Sequence, residues 1–157
     1  MNNPEFLVEY KAIADAYRIP PNLLEIELTE TLFFENMEAL IAVIAQIHEV
    51  GFNCSLDDFG SGYSSLNMLK DVSVDILKLD RAFFNSRSKD NSRGQSVIES
   101  VIELAKKLGM KTISEGVELE SQVEFLRTVR CDMVQGFVFS KPLPVEEFER
   151  MAFKVEE

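Results

Sequence analysis

Long apolar runs are absent. No stretch approaches the ~18 residues that a membrane-spanning helix needs, and the opening MNNPEF is not a secretory leader. Cysteine is scarce. Cys54 and Cys131 are the only two, both lie in apolar stretches, and their spacing fits no metal motif. They read as reduced, buried thiols of a cytoplasmic protein. Histidine is scarcer still: His48 stands alone before Gly51 and reads as a surface or packing residue without a catalytic role. Positive charge is in deficit, with 16 Lys and Arg against 27 Asp and Glu and a net charge of -11. A field of that sign repels nucleic-acid polymers and anionic membranes. It admits a small phosphate ligand only with a divalent cation between ligand and acids. Internal repeats and low-complexity segments are missing as well.

What is present suits one globular domain: 157 residues, 46% of them hydrophobic. Helical and strand-like segments alternate. Residues 4–17 carry Phe6, Tyr10, Ile13 and Tyr17 on one helical stripe, stopped by Pro20-Pro21. Further helices are predicted over 37–50, 94–109 and 119–129, and strands over 23–28, 53–56, 75–80, 111–117 and 132–139. The polar stretch 86–93 reads as mobile. Alternation of this kind predicts a parallel sheet. Every strand ends in charged or amide groups, as in α/β barrels, where strand C-termini converge on one site. A doubly wound open sheet is the other architecture. Five strand segments in 157 residues fall short of the eight that a barrel needs over ~250 residues. The fold class is therefore a partial (β/α)8 barrel of about five βα units.

The acids at the strand ends are the candidate site. In LEIEL, Leu24, Ile26 and Leu28 share one face, and Glu25 and Glu27 the other. Asp57 and Asp58 end an apolar strand, where adjacent carboxylates suit a hard cation, though an Asx turn would also place them there. Gly60-Ser61-Gly62 follows as a turn or an anion-contacting loop. Lys78, between Leu77 and Leu79, is either a solvating edge residue or a buried cation facing acids, and its apolar stem suggests that Met could replace it without loss of the fold. Glu115, before Gly116, is a candidate base or metal ligand. Met68, Met110, Met133 and most of the twelve phenylalanines read as core. Three chemistries fit: metal-assisted phosphodiester hydrolysis, enolase-like proton abstraction with Lys78 as base, and a Schiff-base aldolase on Lys78. The number of carboxylates favours a metal and weakens the third. Spacing does not separate the first two.

ELTET (27–31), DDFGSGYSSL (57–66), VDILKLDRAF (74–83), SEGVE (114–118) and QGFVFSKPLP (135–144) occur in order. Together they closely resemble the EAL domain of bacterial cyclic di-GMP phosphodiesterases, from about Pro4 to Arg150. Ser61 stands where Thr is usual, Ser114 where Ala is usual, and Arg130 where Gly is common. The resemblance implies a modified TIM barrel that hydrolyses cyclic di-GMP to pGpG with Mg2+ or Mn2+. It assigns Glu27 as a metal ligand, Asp57 as the ligand shared by two metals, and Asp58 to the second metal or its water. Lys78 would orient the attacking water. Glu115 would be the general base or a second-metal ligand, Glu30 would steady the loop after the aspartates, and Glu118 and Gln135 would surround the site. The Gly60-Ser61-Gly62 loop would respond to substrate and help form a dimer surface. The family's namesake motif, on a first strand, and a ligand Asn on a third strand have no counterpart here. The chain is thus expected to be the C-terminal portion of an EAL domain, inactive alone and assembling as a homodimer or swapped assembly. Its parent is expected to be a cytoplasmic phosphodiesterase with an upstream GGDEF or sensory domain. A non-catalytic module that binds cyclic di-GMP or a partner protein is the alternative.

Overall fold

The computed structural model describes residues 5–29, 37–60, 66–84 and 92–153. Five strands form one sheet: β1 (Glu25–Thr29), β2 (Asn53–Phe59), β3 (Ile76–Leu79), β4 (Lys111–Ser114) and β5 (Met133–Val134). The helices are α1 (Glu5–Ala16), α2 (Met37–Val50), α3 (Leu66–Asp71), α4 (Ser92–Lys107), α5 (Glu120–Thr128) and α6 (Val145–Phe153), with 3-10 turns at Pro21–Leu23 and Arg81–Phe84. Strand order follows the chain from β1 to β5, and every pair is parallel. A doubly wound sheet reverses its order at a switch point and a barrel wall does not, so this is a barrel wall.

The core lies between one face of the sheet and the helices. Leu28, Leu56 and Leu77 sit side by side in register on that face, and all are buried. Helix α2 brings Leu40, Ile44 and Ile47 against it, and α4 brings Ile98, Val101, Ile102 and Ala105. Both sets recur at three- and four-residue steps, which makes one helical stripe. Each fully buried Leu or Ile contributes about 1.5–3 kcal/mol by leaving water. At the N-terminal end of the sheet, carboxylates tie neighbouring strands. Asp75 Oδ2 accepts from Cys54 N at 2.8 Å and contacts His48 Nε2 at 2.9 Å. Asp132 Oδ2 accepts from Thr112 N at 2.9 Å and Thr112 Oγ1 at 2.8 Å. His48 is thus a half-exposed partner of Asp75, joining α2 to the sheet. The Cys54 thiol is pushed up to about 12 by burial and by nearby Asp75 and Glu25, so it stays protonated.

Several expectations change. Ser92 and Arg93 begin α4, although the sequence reads as a polar stretch there; residues 85–91 lie outside the described set. The fifth strand stops at Val134, although alternating Phe137 and Phe139 prolong its pattern. Gly136 explains the stop: a Cβ there would lie 2.0 Å from Val117 O, so the chain crosses the Val117 backbone. Beyond that crossing Phe137 and Phe139 are exposed, as are Met133, Phe148 and Phe153. Of the described phenylalanines only Phe52 and Phe59 are fully buried; Phe6, Phe83, Phe84 and Phe125 are partly buried against the core. Met68 and Met110 are core as expected. Helices α3 and α6 were not anticipated; α6 is strongly two-faced yet has no buried residue.

Two departures from the family pattern prove to be local costs. Arg130 holds φ +60°, where a side chain crowds the following carbonyl and glycine does not. Ser114 Oγ is buried without a hydrogen-bond partner among the described residues. Arg130→Gly and Ser114→Ala should therefore each raise stability, by about 1 kcal/mol. Gly136→Ala should lower it by more. Urea midpoints of the three variants check this, and a fall for either of the first two contradicts it.

Candidate active site

Strands β1 to β4 place their C-terminal side chains around one cation. Glu27 and Thr29 of β1 share a face with Ser55 and Asp57 of β2. Between Leu56↔Leu77 and Phe59↔Leu79 the β2–β3 register slips, so Asp57 and Asp58 together oppose Lys78. This is a β-bulge, and Asp58 takes it up with φ +58°. Without the bulge, the two aspartates would point to opposite faces and Phe59 would leave the core. Aspartate tolerates this conformation better than most residues. The strand predicted to end at Leu56 therefore runs on to Phe59.

Lys78 is only 5% exposed. Its Nζ lies 2.6 Å from Glu27 Oε1, 2.9 Å from Glu115 Oε1 and 3.1 Å from Asp57 Oδ1. The choice left open for Lys78 is thereby decided in favour of the buried cation. Burial alone would pull the ammonium down, but its ion pairs with Glu27, Glu115 and Asp57 outweigh this and hold the group above its ordinary range. Burial pushes the Glu115 carboxyl up, and Lys78 only partly offsets this. Asp58 is pushed up by the same desolvation and by Asp57 and Asp80. Glu115 is set by its backbone, since its N–H donates to Leu79 O at 2.9 Å and Gly116 turns the chain with φ +62°.

The outer residues divide. Glu118 is exposed and lines a cleft of about 190 Å3 with Arg81, Phe84, Gly116, Leu119 and Gln122. The Gln135 side chain is exposed, while its backbone pairs with Ser114 and Val117. Gly60 follows the bulge with φ +99°. Glu30, Ser61 and Gly62 lie outside the described residues. A Glu-Ala-Leu tripeptide does occur at 38–40, but it belongs to the first turns of α2, with Leu40 in the core. Asp80, one of the strand-end acids, carried no assigned role in the sequence, and the Arg81–Phe84 turn was not foreseen; both sit between the two carboxylate-bearing strand ends. The DRAF string that precedes the polar stretch was the available signal.

Among the described residues no three acidic, His or Cys side chains form a ready metal cage; Lys78 stands at the point they share. The donor set still fits a hard divalent ion. It is all carboxylate oxygen, Asp57 Oδ1 is buried and accepts no hydrogen bond in spite of its ion pair, and Glu27 is half exposed to solvent.

The EAL domain family model matches residues 1–142. The chain is 41% identical over 130 residues to the cyclic di-GMP phosphodiesterase NbdA of Pseudomonas aeruginosa, covering 81% of this chain and 16% of that protein. It superposes on the crystal structure of the EAL domain of Mycobacterium smegmatis DcpA with a TM-score of 0.85 at 31% identity, over 97% of this chain and 68% of that one. The manganese/cyclic di-GMP complex of Klebsiella pneumoniae BlrP1 gives 0.79 at 28% identity, over 89% and 36%. The chain spans 16% to 25% of the length of curated relatives that it matches.

The ion cluster revises one expectation. Lys78→Met leaves Glu27, Asp57 and Glu115 facing one another without a cation. The loss should be about 3 kcal/mol near pH 8, the low end for a broken buried pair because Glu27 is half exposed. A carboxyl with a raised folded value burdens the fold only as pH rises past its ordinary value. The deficit should therefore shrink toward pH 5, as Glu115 takes up a proton. Urea denaturation at both pH values tests this; an equal deficit would show that the acids do not repel.

Proposed function

The chain belongs to the EAL domain family, and we propose that it forms part of a phosphodiesterase that hydrolyses cyclic di-GMP to pGpG. The observation that carries this reading is the convergence of Glu27, Asp57 and Glu115 on buried Lys78, with Asp58 brought alongside by the bulge. Glu27, Asp57, Asp58 and Glu115 would hold Mg2+ or Mn2+. Such an ion supplies Lewis acidity and makes hydroxide available near neutral pH. Lys78, charged throughout the physiological range, donates toward the attacking water and the phosphoryl oxygens. It also opposes the negative charge that grows on them. Glu115, 2.9 Å from Lys78 Nζ, would take the proton of the attacking water or hold a second ion. By resemblance, Glu118 and Gln135 would surround the site, and Glu30 would steady the Gly60-Ser61-Gly62 loop, which would respond to substrate. A cytoplasmic location and a GGDEF or sensory partner domain complete the proposal.

The complete open reading frame that encodes these residues should release pGpG from cyclic di-GMP with Mn2+. Asp57→Asn and Glu115→Gln should each abolish release, chiefly through kcat, since these groups act on the transition state. Chromatography of the products decides. Binding of cyclic di-GMP without pGpG release would point instead to a non-catalytic binding module.

Self-association is part of the same proposal. Strands β1 and β5 are the outer strands of the described sheet, and α6 exposes Val145, Phe148, Met151 and Phe153. A homodimer or swapped assembly covers such surfaces. Light scattering of the 157-residue chain should give a mass above the monomer; a dilute, stable monomer would contradict the claim.

A further inference from the structure

The turn Arg81–Phe84 touches both halves of the site at glycines. A Cβ on Gly60 would lie 2.0 Å from Phe83 Cε2, so the ring rests directly on the backbone that leaves the aspartate bulge. The same ring stacks on Phe59, with centroids 6.4 Å apart. At the other end of the turn, a Cβ on Gly116 would lie 2.7 Å from Arg81 Cβ, so Arg81 is seated on the residue after Glu115. Both glycines have positive φ, +99° and +62°, and thus meet the turn in backbone shapes that a side chain would strain and at a distance it would forbid.

The turn is held by hydrogen bonds. Ala82 N donates to Asp80 Oδ1 at 2.8 Å, Phe83 N to Asp80 O at 3.2 Å, and Asp80 N reaches across to Phe59 O at 3.1 Å. One short segment therefore spans from the end of β2 to the start of the loop after β4. The alternative role for Phe83, an ordinary core filler, accounts for the stacking on Phe59. It does not account for the ring's seat on Gly60, nor for the matching seat of Arg81 on Gly116.

We propose that Phe83 is a positioning residue: seated on Gly60, with Arg81 seated on Gly116, it holds the Asp57–Asp58 bulge and Glu115 as one unit. The two carboxylate groups then keep their separation through a platform that contains none of the acids assigned as metal ligands. As regards metal, the inference rests on the proposed phosphodiesterase reading; as regards the coupling of the two strand ends, it does not.

Native-state hydrogen exchange of the 157-residue chain tests the coupling without a ligand. The amides of Phe59 and Glu115 should open together, with one denaturant dependence, and Phe83→Leu should speed both about tenfold while Cys54 and Thr112 at the far end of the sheet keep their rates. Phe83→Tyr, which retains the ring, should restore them. Independent opening of Phe59 and Glu115 in the unmodified chain overturns the proposal, and that measurement stands even if Phe83→Leu fails to fold. Mn2+ binding, read by paramagnetic resonance of the free ion, adds the second arm. Phe83→Leu should weaken it about tenfold and Phe83→Tyr should not, the scale of a lost outer support. Unchanged Mn2+ affinity in a folded Phe83→Leu also overturns it. The Mn2+ arm is run on the complete encoded protein, where no binding would count against the phosphodiesterase reading, while the exchange result still decides the platform.

Discussion

A single buried ammonium organises the carboxylate end of this sheet. Glu27, Asp57 and Glu115 come from three different strands, and in a medium of low dielectric they would drive one another apart. Lys78 lies on β3, between the strands that carry them, and gives each a partner within 3.1 Å. The position on β3 matters as much as the charge. A lysine on an outer strand would put its head into water and leave the acids unpaired. Burial of the ammonium, the raised proton affinity of Glu115 and the tolerance of a bulge beside it all follow from that placement.

The bulge is the second constraint. β2 has to serve two surfaces, sending Leu56 and Phe59 to the helices while offering Asp57 and Asp58 to the site. A strict two-residue period cannot do this, because 56 and 59 differ by an odd number. One extra residue with φ +58° resolves the conflict, and aspartate at that residue carries less strain than a bulky side chain would. The conformational cost sits where the chemistry is expected, as local strain commonly does.

Much of this was legible in the sequence. The alternation of Leu24, Ile26 and Leu28 with Glu25 and Glu27 gave the correct faces, and the helical stripes of α2 and α4 were plain. Glu27, Asp57 and Glu115, read as candidate site acids at strand ends, do come together around Lys78. What was hidden depended on contacts between distant segments. Nothing in Asp57-Asp58 announces a bulge, since two acids after an apolar run also suit a turn. Phe137 and Phe139 kept the strand pattern going, and only the approach of Gly136 to Val117 shows why the pairing ends. Lys78 stayed ambiguous because burial depends on which strands flank β3, a property of topology and not of neighbours in sequence. The seat of Phe83 on Gly60 joins residues 23 positions apart and has no local signature.

The odd step in β2 also governs which changes of length the chain tolerates. A deletion between Leu56 and Phe59 would not merely shorten a strand by one place. It would restore the regular pleat with Phe59 still in the core, at the loss of one of the two acids from the site. An insertion on either side of the two acids also makes the step from Leu56 to the ring even, so a regular pleat would keep the ring in the core and send the two acids to opposite faces. Length at this point is therefore under tighter control than residue identity, and shared spacing among Leu56, the two acids and Phe59 is a more telling sign of common geometry in related chains than the aspartates alone.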